Sequence, residues 1–241
     1  MKFDTCAFTN VGGRSNNEDY YLCGDNFWLV ADGLGGHDSG EVASKTAAEA
    51  VEKFVKKNKS PMNGEYIDSI IKTANMAVID AQKKSKELES MRTTVVFAIT
   101  DGEILKYANV GDSRFYYFRN GKIIAQSEDH TVSAALAKLG EISYSDIRKD
   151  PDKNKLAKVL GEKENLSVKL PETVIIPQNG DAFLLCSDGF WEYVYETEME
   201  TDFAKAASSK EWISYMAKRI ILRTGNNGND NFTALAVMIE G

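Results

Sequence analysis

Thr94–Gly121 reads TVVFAITDGEILKYANVGDSRFYYFRNG. Its apolar and aromatic residues follow a period of two, in three short runs: Thr94–Thr100, Glu103–Asn109 and Arg114–Arg119. The runs are rich in the β-branched and aromatic side chains that suit strands. Asp101-Gly102 and Asn120-Gly121 are dipeptides that tolerate the positive φ of a tight hairpin turn. An antiparallel meander is expected here.

Upstream the period is helical. Val42, Thr46, Ala47, Ala50, Val51 and Phe54 recur at helical spacing, as do Ile67, Ile70, Ile71, Ala74 and Ala77, which predicts two amphipathic helices. Asn26–Ala31, Leu166–Ile176, Ala182–Ser187 and Phe232–Ile239 read as further strands. Trp212, Ile213, Met216, Ala217 and Ile220 mark a late helix. Strands grouped in meanders with helices in separate blocks argue for α+β rather than a doubly wound parallel sheet. Thr131–Lys158, charged and helical in character, interrupts two strand groups and is expected to be a surface appendage. With 241 residues, four prolines and no linker tract, the chain is expected to be a single domain, 1–241.

Apolar residues make up 43% of the chain, enough for a sizeable core and too many for disorder. A formal net charge of -7 disfavours both counterion-driven nucleic-acid binding and attraction to anionic membranes. The N-terminal MKFDTCAFTNVGG lacks an apolar core of signal-peptide length, and no apolar run could span a bilayer. Cys6, Cys23 and Cys186 are odd in number without CxxC spacing, which points to reduced thiols and a cytoplasmic setting.

The apolar run before DGLGGHDSGE, followed by a helix, has the layout of a nucleotide-binding loop. A dinucleotide fingerprint needs glycine where Asp38 stands. The Walker pattern requires Lys and then Ser or Thr after Gly40, where the chain has Glu41-Val42. Both readings fail. The acids are more informative: Glu18 and Asp19 in RSNNED, Asp32 in ADGLGGH, Asp112 in GDSR, Asp188 in CSDG and Asp230 in GNDNFT. Asp32 and Asp188 each follow an apolar run and precede a glycine, which places an acid at the mouth of a buried strand. Mg2+ and Mn2+ favour such oxygen-only donors. Taken singly, each Asp-Gly is foremost a turn, and spacing alone does not bring the acids together.

In order and interval, RSNNED, ADGLGGH, GDSR, CSDG and DNFT resemble the type 2C metal-dependent Ser/Thr protein phosphatases, bacterial branch, from Gly12 to about Val237. GKIIAQSEDHTVSAALAKLGEIS and AKVLG are similar to that branch too. The resemblance implies a pair of packed antiparallel sheets with helices on both outer faces. It implies two or three divalent cations, Mn2+ or Mg2+. Asp32 would bridge two of them, Asp188 and Asp230 completing one shell, Glu18 and the Gly33 carbonyl the other. Asp19 would hold water beside the cations, and Arg14 would grip the substrate phosphate. Asp112 with Asp188 would supply a weaker third site, and Thr131–Lys158 a flap beside the cleft. Substrates would be phosphoserine and phosphothreonine proteins, those of a cognate Ser/Thr kinase, attacked directly by activated water. A monomer is expected.

The chain departs from the family in two places. Eukaryotic members carry His directly after the Asp-Gly; here that position is Leu34, and bacterial relatives usually have Met. His37 does not match it, and His130 is expected to be structural, so protonation of the leaving group falls to water. Arg92 stands before Thr93-Thr94, where members usually have Gly. Two alternatives share part of this pattern: a phosphoesterase for small phosphate esters, and a silent binding relative. Against the latter, Asp32, Asp188 and Asp230 are all present.

Overall fold

The computed structural model describes every residue except 36–38, 59–61, 163–165, 167–169, 171–173 and 226. In chain order its strands and helices are β1 (Lys2–Asn10), β2 (Asp19–Cys23), β3 (Phe27–Leu34), α1 (Ser39–Lys57), α2 (Gly64–Gln82), β4 (Arg92–Thr93), β5 (Val95–Thr100) and β6 (Leu105–Val110). There follow β7 (Arg114–Arg119), β8 (Lys122–Gln126), α3 (Val132–Leu139), β9 (Ala182–Cys186), α4 (Asp188–Trp191), α5 (Glu196–Lys205), α6 (Ser209–Thr224) and β10 (Phe232–Glu240). One antiparallel sheet runs β1-β10-β9-β7-β8 and the other β2-β3-β5-β6, with β4 beside β3.

Alternation along each strand gives every sheet two faces. Trp28, Val30, Val96 and Ala98 of one sheet meet Phe115, Tyr117, Phe183, Leu185, Leu235 and Val237 of the other. The intervening Leu29, Ala31 and Phe97 pack outward on Ala47 and Val51 of α1 and Ile70 and Ile71 of α2. On the opposite side Tyr116, Phe118, Leu184 and Ala236 pack on Trp212, Met216 and Ile220 of α6. The result is the expected four-layer α-β-β-α sandwich. Both faces of the central strands are buried, which is why those strands read as nearly continuous apolar runs. Trp28 lies between Phe3 and Phe183, each ring centroid 4.9 Å away, so truncating it to Ala would cost about 3–5 kcal/mol.

Both predicted hairpin turns form. Asp101 Oδ1 accepts from the N–H groups of Glu103 and Ile104 at 3.0 and 2.9 Å, with Gly102 at φ +97°. Asn120 and Gly121 take φ +52° and +76°, the pair of positive values that matches strand twist.

Other expectations need correction. The 131–158 segment is helical only over the eight residues of α3, which stop at Gly140 with φ +79°, and a 3-10 turn at Tyr144–Lys149. Expected strand Leu166–Ile176 falls largely outside the described residues; within them, Ile175 makes an isolated bridge to Leu105. The strand read as Glu103–Asn109 begins at Leu105, because the Asp101 turn occupies its first residues. No described helix is long and apolar enough to cross a membrane.

Candidate metal centre

The antiparallel register of β2 and β3 sets Asp19 directly opposite Asp32. Here the strand outlasts its apolar run. Asp32 and Gly33 were expected to turn, yet Gly33 pairs with Thr93 and Leu34 with Arg92 before the chain leaves the sheet. The Asp32 main chain is held on both sides. Its N–H donates to Thr94 Oγ1 at 3.1 Å, and its carbonyl accepts from the Thr94 N–H and the Thr93 hydroxyl, each at 2.8 Å. Thr94 Oγ1 also bonds Ser113 Oγ at 2.7 Å, which links the Asp32 backbone to the neighbour of Asp112.

Glu18 is anchored through its own backbone. Its N–H donates to Asn231 Oδ1 at 2.8 Å, and its carbonyl accepts from Gly33 N–H at 3.1 Å and Ser44 Oγ at 2.6 Å. Its carboxylate lies against Gly40 in the first turn of α1, so closely that a Cβ on Gly40 would sit 2.5 Å from Glu18 Oε2. That helix terminus favours an anion.

Asp188 opens α4 and Asp230 precedes β10. The two segments meet where Gly189 presses on the Asn231 carbonyl and the Asp230 Cβ, with no room for a side chain. Asp112 lies between β6 and β7, its carbonyl accepting from Trp191 Nε1 at 2.9 Å. Arg14 Nη2 donates to Asp230 Oδ2 at 2.7 Å. Strand ends and turns thus gather Arg14, Glu18, Asp19, Asp32, Gly33, Asp112, Asp188 and Asp230 at one end of the sandwich.

Burial makes this gathering costly for the chain alone. It pushes Asp32 and Asp188 well above the ordinary carboxylate range, and the neighbouring Asp19, Asp112 and Asp230 charges push further. Burial likewise raises Asp19 to about 6 and Asp112 to about 7. Asp19 Oδ2 accepts from Ser187 Oγ at 2.8 Å, but Asp19 Oδ1 and Asp188 Oδ1 are buried without a hydrogen-bond partner. Buried, orphaned carboxylate oxygens are destabilising unless a cation compensates them. The donor set is oxygen throughout and suits Mg2+ or Mn2+. Among the described residues no three Asp, Glu, His or Cys side chains alone form a ready metal cluster.

His37 lies outside the described residues. His130 is bonded to Gly111 twice: its ring Nδ1 accepts from the Gly111 N–H at 3.3 Å and its backbone N–H donates to Gly111 O at 2.9 Å, while burial lowers the imidazole to about 4. Arg92, unexplained by the sequence, is the first residue of the short strand β4 and donates from Nη1 to Met91 O at 2.8 Å. Sequence reasoning gave no supporting role to Asn231, Ser187 or Gly40; Asn231 and Ser187 stand next to Asp230 and Asp188, but the acids their side chains hold, Glu18 and Asp19, are far away in sequence. A separate cavity of about 930 Å³ lies between the 131–158 segment and the start of α5. Arg114, Ala134, Ile147, Arg148, Tyr195 and Glu196 are in its walls, and none of the gathered carboxylates is.

Residues 12–226 match the family model described as Protein phosphatase 2C. The chain is 35% identical over 215 residues to the serine/threonine phosphatase stp of Listeria monocytogenes serotype 4b (strain F2365), covering 87% of this chain and 82% of that one. The crystal structure of the Mycobacterium tuberculosis serine/threonine phosphatase PstP/Ppp has TM-score 0.87 at 26% identity, over 100% of both chains. The PstP catalytic domain in complex with 2 manganese ions has TM-score 0.85 at 26% identity, over 100% of this chain and 99% of that one. A family match over most of the chain, supported by a relative above 30% identity, leads to one assignment: this chain belongs to the protein phosphatase 2C family.

Proposed function

We propose that this chain is a metal-dependent protein serine/threonine phosphatase acting on phosphoserine and phosphothreonine. The observation that carries the reading is the carboxylate set, Asp19 and Asp112 buried and Asp32 and Asp188 half-buried, whose crowded charge, with the orphaned oxygens of Asp19 and Asp188, calls for cations from outside the chain. Glu18, Asp32, the Gly33 carbonyl, Asp188 and Asp230 would hold two cations, Mn2+ or Mg2+, and Asp112 with Asp188 a third. Divalent cations supply charge for phosphoryl oxygens and lower the pKa of water.

The chain's own groups do the positioning. Thr93 and Thr94 fix the Asp32 main chain, and Asn231 with Ser44 fixes Glu18. Asp19, held by Ser187, orients water at the centre. Arg14 presents a planar fork of donors beside Asp230, suited to two phosphate oxygens at once. Water attacks phosphorus directly, so no side chain becomes phosphorylated. With Leu34 in the strand and His130 bonded to Gly111, leaving-group protonation also falls to water.

In this reading the 131–158 segment is a flap beside the cleft. The substrates are phosphoproteins of a cognate Ser/Thr kinase, and the enzyme works as a cytoplasmic monomer. The test is hydrolysis of a phosphothreonine peptide with Mn2+, repeated in excess chelator. Turnover that needs the metal is the expected result. Full turnover in chelator overturns the reading, and turnover of p-nitrophenyl phosphate alone would favour a small-ester phosphoesterase.

A further inference from the structure

Two side-chain amides of α2 take no part in the chemistry above. Asn75 and Gln82 lie two helical turns apart on one face of the helix. They are 7% and 6% exposed, on a face otherwise built from Ile71, Ala74 and Val78. A buried amide is costly unless its groups are bonded, and Leu or Met would fill the same space without that cost.

Their bonds go to the chain that backs β4. Gln82 Nε2 donates to Met91 O at 2.9 Å and to Gly161 O at 2.8 Å. Asn75 Oδ1 accepts from Gly161 N–H at 2.7 Å, and its Nδ2 donates to Glu162 O at 3.1 Å. Gly161 has φ +96°, and a Cβ there would press on Gln82 Nε2 and Val78, so the clamp requires glycine. Held in this way, Leu160 exchanges two backbone hydrogen bonds with Thr93, at 3.3 and 2.8 Å. Thr93 in turn pairs with Gly33, and its hydroxyl lies 2.8 Å from Asp32 O, shared with Thr94 O at the same distance.

We propose that Asn75 and Gln82 are positioning residues for the metal centre. They clamp Met91 and Gly161–Glu162 so that Thr93 holds the main chain of Asp32 and Gly33 in place for the cations. The inference rests on the metal-dependent reading above. Neither amide touches a reacting group, so their effect reaches the centre only through Thr93.

The test reads Mn2+ binding directly, from the electron paramagnetic resonance of free Mn2+, beside the melting temperature of each variant. Gln82→Met removes the donor and keeps the bulk. Val78→Ala, on the same helix face, reports what loss of packing does by itself. Gln82→Met should raise the Mn2+ dissociation constant about 10-fold, the lower end of the effect of removing a ligand's support. Val78→Ala should leave it unchanged even if it melts as early. Thr93→Val, which loses the hydroxyl next to Asp32, should raise the constant similarly. The Gln82→Met/Thr93→Val double variant should raise it little more than either alone, because both cut one chain of contacts.

A dissociation constant within twofold of wild type in folded Gln82→Met, an equal shift in Val78→Ala, or additive shifts in the double variant would overturn the proposal. If Gln82→Met does not fold, Thr93→Val decides, and an unchanged constant there overturns it. A wild-type chain that binds no Mn2+ would instead remove the metal reading underneath.

Discussion

Two groups of buried charges flank Asp112. On one side Arg114 grips Asp129 with two bonds, Nε to Oδ1 at 2.8 Å and Nη2 to Oδ2 at 2.7 Å. It also donates to the Tyr116 hydroxyl at 3.0 Å and lies over the Trp191 ring at 3.4 Å. On the other side, among the described residues, no Lys or Arg bonds Asp19, Asp32 or Asp188, and oxygens of Asp19 and Asp188 are left without a partner. The first group is neutral and complete within the chain. The second has excess negative charge that burial raises in energy. Buried charge that closes on itself is structural, whereas charge left unbalanced in a cleft marks a place for something from outside.

The largest expected effect breaks the unbalanced group. Asp32→Asn, Asp188→Asn and Asp230→Asn should each lower Mn2+-dependent turnover by about 10³-fold or more, with Asp32→Asn worst because its carboxylate would serve two cations. In chelator, Asp32→Asn should not melt earlier than wild type, since it removes a repelling charge. Steady-state kinetics and thermal melts check the two halves, and wild-type turnover by Asp32→Asn would contradict the assignment.

Breaking the balanced group should do the opposite. Asp129→Asn strips the buried Arg114 guanidinium of its two-bond partner and leaves it only the longer 3.6 Å contact with Glu196, which should cost about 3 kcal/mol by denaturant unfolding. The folded fraction should keep its affinity for the first two Mn2+ ions. If Asp129→Asn loses Mn2+ and keeps its stability, the two groups are not separate.

A smaller effect is expected at the rim. Arg14→Ala should raise KM for a phosphopeptide about 10-fold with a lesser loss of turnover, since a phosphate contact alike in ground and transition states acts on binding. Its stability should change by less than ~1 kcal/mol, as for exposed ion pairs generally. An unchanged KM would reduce the Arg14–Asp230 contact to a surface pair.

The acids were more legible in the sequence than the elements that carry them. Each sits in a short motif with Gly or Asn at a strand end, and the resemblance of those motifs, in order, to the type 2C phosphatases indicated the set. The core strands were visible too, because burial on both faces leaves β3, β5, β7 and β9 almost wholly apolar. β1 was not, since KFDTCAFTN is an edge strand with half-buried, largely polar positions. β2 is short and begins with the functional Asp19. α5 buries only Met199 and Asp202 along ETEMETDFAK, which leaves no apolar stripe to find. Least legible were the supporting groups. Asn75, Gln82, Ser187 and Asn231 are polar residues that look solvated until the fold shows where their hydrogen bonds go.

The most direct test of the account is the melting temperature of the wild-type chain, in chelator and in Mn2+, at pH 6.5 and pH 8. Without metal, carboxyls raised to about 6 at Asp19 and about 7 at Asp112 hold protons that the unfolded chain has already released above pH ~4. Their contribution is present in full at low pH and is lost as pH rises through those values. His130, lowered to about 4, has the opposite sign; the unfolded imidazole is still about half protonated at pH 6.5, so a further gain remains above it, smaller than the loss from the carboxyls. The chelated protein should therefore melt earlier at pH 8 than at pH 6.5. Mn2+ should raise both melting temperatures, and more at pH 8, where the ligands are already ionised. No shift with Mn2+ at either pH, or a chelated chain more stable at pH 8, would contradict the claim that this carboxylate cluster is a metal centre.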